Sequence, residues 1–141
     1  MSAYGLDIID DAVHTTNAWL NELDGYTGWE HKQRAYRLLR AVMHVLRDHL
    51  GVDEAAQLAA QLPVLIRGIY YEGWNPSKTP VKLRKPEEFI DRVQEAFTTD
   101  PLGDAPQAIA AVMKLLRAHV SAGEMEDVER AFTKEIRALF G

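Results

Sequence analysis

The sequence has no cysteine, only three serines (Ser2, Ser77 and Ser121) and six prolines in 141 residues. No apolar run approaches the roughly 18 residues of a membrane span. Without cysteine there is no thiol nucleophile, no Cys-based zinc site, no iron–sulfur ligation and no redox switch. The composition points to a reduced, cytoplasmic compartment, although export also tolerates it. Residues 1–23 hold three Asp and one Glu and no Lys or Arg, a pattern expected of neither a signal nor a transit peptide. Basic residues are outnumbered, 16 against 21, for a net charge of −5, which sets the whole-protein field against a nucleic-acid backbone. With 47% apolar residues, the chain can still bury a core without staples, and disorder is excluded.

The apolar positions follow a 3.6-residue period almost throughout, with no sustained alternation of period two. The expectation is therefore an all-α single domain, a compact bundle of about seven or eight helices. A first helix is predicted from Leu6 to Leu23, with Ile9, Val13, Ala18 and Leu20 facing inward and Gly25 ending it. Thr27-Gly28-Trp29-Glu30 has the form of a capping box for a long helix reaching Leu50. An Ala-rich helix over 53–61 follows, then one starting near Pro63 and ending before Gly73. A connector over 75–85 follows, and with Pro86 at its end it carries three of the prolines. Pro86-Glu87-Glu88 starts the next helix, proline first and carboxylates at the positive dipole end, and it lasts to about Thr98. Another helix ends at Val120. Ser121 and Glu124 suggest a second capping box, with a final helix to Phe140.

A shift of 70 positions places Ala41-Val42-Met43 on Ala111-Val112-Met113, Leu46-Arg47 on Leu116-Arg117, His49 on His119, Glu54 on Glu124 and Ile66-Arg67 on Ile136-Arg137. Apolar character persists between these identities, which is the signature of an internal repeat. Two related half-units, about 5–74 and 86–141, are expected, with residues 41–70 superposing on 111–140.

Little chemistry is written in this pattern. Carboxylate-bridged metal sites in bundles need two Glu-x-x-His motifs and further inward Glu, and only Asp11-Ala12-Val13-His14 approaches one. His44 and His49 lie about 140° apart on a helix and do not converge as ligands. His44 reads as a polar-face residue near Asp48, and His49 and His119 as helix C-terminal imidazoles favoured in the charged form. There is no nucleophile elbow and no phosphate-cradling glycine loop. Asp10-Asp11 and Glu87-Glu88 splay about 100° apart, poor geometry for an acid–base pair. No catalytic residue, metal or cofactor is expected.

What remains is the end of the first half. Tyr71, Glu72 and Trp74 cluster where a helix meets the irregular connector, and Tyr and Trp are enriched at binding hot spots. Lys78, Lys82, Arg84 and Lys85 add four cations beside them. These seven residues form the candidate interaction surface, for an unknown protein partner or for self-association. The competing reading is that Tyr71, Glu72 and Trp74 anchor the connector, with Glu72 paired to an Arg.

The run Ala35-Tyr36, Leu39-Arg40-Ala41-Val42, His44, Leu46-Arg47-Asp48, Gln61-Leu62-Pro63, Arg67-Gly68 and Tyr70-Tyr71-Glu72-Gly73-Trp74 resembles the bacterial family called domain of unknown function 2267. His119-Val120-Ser121, Gly123-Glu124 and Ile136-Arg137-Ala138-Leu139 fit as well. One departure is Thr133, where such sequences often have a proline matching Pro63; the final helix is then expected to run unbroken. The resemblance implies a small all-helical prokaryotic protein, sometimes joined to nucleotide-sensing regulatory domains, and brings no activity or catalytic residues. The resulting expectation is a non-enzymatic interaction or regulatory module of the cytoplasm, with no nucleic-acid or membrane partner. The alternative is a small-ligand binder or enzyme with a pocket between the halves near Arg40, His44 and Arg67.

Overall fold

A computed structural model describes residues 5–141 as eight α-helices: α1 (Asp7–Thr27), α2 (Lys32–His49), α3 (Val52–Ala60), α4 (Val64–Tyr71), α5 (Pro86–Gln94), α6 (Ala105–His119), α7 (Ala122–Arg130) and α8 (Lys134–Arg137). Short 3₁₀ turns cover Pro76–Lys78, Glu95–Phe97 and Ala138–Phe140. There is no strand among the described residues, so the fold is all-α.

The wide apolar face of α2 explains the arrangement. Leu38, Leu39, Val42, Met43, Val45 and Leu46 point to more than one side of the helix and are all buried, so α2 needs neighbours around it. It touches α1, α3, α4, α5 and α6, while α6 packs in turn on α1 and α7. Phe89, Phe132 and Phe140 meet edge to face at 5.3–5.9 Å and close the core at the other end.

Several sequence expectations are corrected at the helix ends. Gly25 lies inside α1, and Gly28 ends it in the left-handed region at φ 70°. Thr27 belongs to that helix rather than capping the next. The start of α2 is capped by His31, whose Nδ1 accepts from the backbone N–H of Arg34 at 3.1 Å. The final helix is broken. Thr133 accepts from Ile136 N–H and starts α8, so a hydroxyl serves where Pro63 serves before α4. Ser121 caps α7 as expected, but Glu124 makes no return bond; Ser121 N–H donates instead to Gln61 Oε1 at 2.7 Å.

α1 departs most from expectation. It buries only Trp19, Leu20 and Leu23. Ile9 (48% exposed) and Val13 (43%) are uncovered because the N-terminal half of the helix runs past the bundle, and Ala18 is exposed beside buried Trp19.

Two pairs of arginines 70 positions apart make similar backbone bonds. Arg47 Nη1 donates to the carbonyls of Tyr70 and Glu72, at 2.8 and 2.9 Å; Arg117 Nη1 donates to those of Phe140 and Gly141, both at 3.1 Å. Arg67 donates to the carbonyl of Leu62 and Arg137 to that of Phe132. The limits of α3 and α7 are also 70 apart.

His49, at the last turn of α2, is fully buried and not a charged helix-end imidazole as the sequence suggested. Its Nδ1 accepts from Leu83 N–H at 3.0 Å and its Nε2–H donates to the Ala131 carbonyl at 2.8 Å, with the ring stacked on Phe132 at 3.9 Å. Those two bonds fix the neutral tautomer. Burial, the larger influence, pulls its pKa below the usual imidazole value, as it does for His44. The unfolded chain therefore binds more protons below about pH 6.5, so the stabilisation is complete above that value and is lost as pH falls through the lower folded one. Urea unfolding from pH 7.5 to 5 should show that decline. His49→Leu, which orphans a buried N–H and a buried carbonyl, should cost about 2–4 kcal/mol at pH 7 and make the acid loss shallower.

Candidate functional site

The end of α4 places the aromatic segment. Tyr70 is fully buried and its hydroxyl donates to the Ala55 carbonyl at 2.8 Å. Tyr71 meets Tyr70 edge to face and stacks on Trp74, with centroids 5.4 and 5.3 Å apart. Both Tyr71 and Trp74 are half-buried against the core, and the indole N–H of Trp74 is covered without a hydrogen-bond partner. Gly73 turns the chain at φ 75°, a conformation glycine adopts without strain. Glu72 is exposed, and Arg40 Nε donates to its carboxylate at 2.7 Å.

The four cations of the connector point outward, and all are exposed. The backbone beneath them is fixed: Val81 N–H donates to the Asp48 carbonyl at 2.6 Å, and Leu83 is buried beside His49. Thr133 Oγ1 donates to the Arg84 carbonyl at 2.9 Å. Glu88 accepts from the N–H groups of Arg84 and Lys85, which, with the Arg84 bond foremost, lowers its pKa.

The proposed pocket residues are not gathered into one place. Arg40 and His44 line a cleft of about 290 Å³ between α2 and the end of α5, together with Asp48, Arg92 and Glu95. His44 Nε2–H donates to the Ile69 carbonyl at 2.7 Å. Arg67 lies elsewhere and caps the end of α3, donating to the carbonyls of Ala59 at 2.9 Å and Leu62 at 2.8 Å.

A larger cavity, about 580 Å³, was not foreseen. It is lined by Arg117, Met125, Glu129, Arg130 and Arg137 with Ala122 and Glu126. Arg117 is held by both oxygens of Glu129 at 2.7 and 3.0 Å. Nor did the sequence show that the carboxyls of Glu54 and Glu124 meet. Glu124, 8% exposed, is hydrogen-bonded to Glu54 and pushed up to about 8, by burial first and then by that acid neighbour. The offset of 70 places the two in register, but only packing of α3 on α7 brings them together.

Among the described residues no three His, Asp or Glu side chains gather as metal ligands. No helix is long and apolar enough to cross a membrane. A family model described as Uncharacterized conserved protein (DUF2267) matches residues 16–139. No curated protein matches the chain.

The packing of Tyr71 and Trp74 ranks the seven surface residues by their expected effects. Tyr71→Ala and Trp74→Ala should each lower stability by about 1–3 kcal/mol. Lys82→Ala and Arg84→Ala should stay within about 0.5 kcal/mol. Chemical denaturation measures both, and silent aromatic substitutions would return Tyr71 and Trp74 to the docking surface.

Proposed function

The chain belongs to the DUF2267 family of uncharacterised conserved proteins, and within it we propose a non-enzymatic helical interaction module whose partner docks on the projecting half of α1. One observation carries this reading. Leu6, Ile9 and Val13 fall on the helical stripe that continues into buried Leu20, and they are 60%, 48% and 43% exposed. A seam that packs on the bundle thus runs on uncovered beyond it, before the family region begins at residue 16.

Charge selects the occupant. Asp7, Asp10 and Asp11 border the stripe and no Lys or Arg precedes Lys32, so the partner is read as an amphipathic helix with Lys or Arg beside its apolar face. A second copy fits less well. Two α1 ends would bring acid to acid, and the connector's cations come with Leu83 already buried. The net charge of −5 makes nucleic acid a poor partner. The absence of cysteine and the family resemblance support a bacterial cytoplasmic setting. The paired arginine bonds and the common limits of α3 and α7 support descent of the two halves, 5–74 and 86–141, from one repeated unit.

A second reading, small-ligand binding, moves from Arg40, His44 and Arg67 to the larger cavity. Met125 gives it an apolar wall, and charged side chains of both signs, Glu126, Glu129, Arg130 and Arg137, stand around it, a mixture of apolar and polar lining that suits a small ligand.

A photoreactive residue at Ile9 in the full chain, expressed in its native cell, tests the docking reading. The expected crosslink is to another protein, in a segment with apolar residues at helical spacing flanked by Lys or Arg. Crosslinks only to this chain establish a second copy instead, and crosslinks to segments without cations overturn the charge argument. The triple variant Leu6→Ser, Ile9→Ser, Val13→Ser should reduce capture at least tenfold with its melting temperature unchanged.

A further inference from the structure

Glu54 and Glu124 each occupy the third position of a short helix, α3 after its cap Gly51 and α7 after its cap Ser121. The two helices pack on each other, and Ala55, Leu58 and Ala59 of α3 and Met125 and Val128 of α7 are buried. The glutamates meet in that contact, and each keeps one carboxyl oxygen, Oε2, covered and without a partner. Beside them Gln61 Nε2 donates to Ser121 Oγ at 3.0 Å, and Ser121 N–H donates to Gln61 Oε1. A carboxylate at a helix N-terminus is ordinarily favoured by the dipole. Here two such positions converge, and the buried site has room for one negative charge but not for a second at hydrogen-bond distance.

We propose that the Glu54–Glu124 pair is a proton-held latch between α3 and α7: with one shared proton the helices close, and its loss sets two carboxylates against each other and loosens the contact between the halves of the chain.

The surroundings give the second charge nothing to pair with. The other charge acting on Glu124 is Asp127, on α7 itself, also an acid. From α4 the facing group is Tyr70, whose hydroxyl is raised far above its ordinary value by burial and stays neutral. On α2, Arg47 is committed to Asp48 and to the carbonyls of Tyr70 and Glu72. On α6, Arg117 is committed to Glu129 and the last two carbonyls of the chain. The raised titration of Glu124, at about 8, puts the release on the alkaline side of neutrality. This device does not depend on what docks on α1.

Amide hydrogen exchange on the full chain between pH 6 and 9.5, corrected for the intrinsic base-catalysed rise, reads the latch directly. In the native sequence, protection over 52–60 and 122–130 should fall at least tenfold across that range, while the cores of α2 and α6 hold. Glu124→Gln keeps a donor and cannot ionise, and Glu54→Gln removes the opposing charge. In at least one of these variants the fall should vanish. The second variant also guards against a failure of the first to fold. A native protein with no pH-dependent fall in α3 and α7, or a fall that persists in both variants, overturns the proposal.

Discussion

The neutral imidazole of His49 holds together parts of the chain that share no helix. It ends α2, accepts the backbone of the connector at Leu83, and donates to the turn between α7 and α8 at Ala131. The adjacent residues extend the junction, since the Asp48 carbonyl accepts from Val81 N–H and the Arg47 guanidinium donates to the carbonyls of Tyr70 and Glu72 at the end of α4. Buried polar groups of this kind cost several times more when unpaired than they contribute when paired. The last turn of α2 therefore does more than cover apolar surface. It dictates where the connector crosses the bundle and hence where α5 begins.

Helix content and most helix limits were legible because period and caps are local signals. The offset of 70 is an alignment of residues in the sequence and not of backbone. The failures lie where the end of a helix, or what a side chain finally bonds, is settled by packing and not by residue order. Thr27 resembled a cap but was absorbed by a helix that ran longer, and His31, not an ordinary cap, took its place. Arg67 looked available for a ligand and is spent on the carbonyls of α3. Ile9 and Val13 have core spacing, and spacing cannot say whether a helix outruns its neighbours. Tyr71, Glu72 and Trp74 stood out by their position at the end of a helix. The stacking of Tyr71 on Trp74, and which Arg meets Glu72, could not be read from their order.

Burial acts on the two kinds of titratable group in opposite senses. It keeps His44 and His49 from taking a proton and keeps Glu124 from giving one up. At His49 the neutral form is also the one the bond from Leu83 N–H requires, so acid strains one part of the molecule and alkali another. The histidines lie on α2 and the acid pair on α3 and α7, so these demands fall on separate helices.

The corners between helices have a consequence for how the molecule would come apart. Arg67 ties the turn after α3 and Arg137 the turn after α7. Residues 75–79 are held mainly by bonds within the segment itself. A cut there would leave one fragment with α1–α4 and the other with α5–α8, and Val81 and Leu83 would remain bonded to the last turn of α2. The nicked protein would behave as a non-covalent heterodimer, which makes this segment the natural place to split the molecule into complementing fragments.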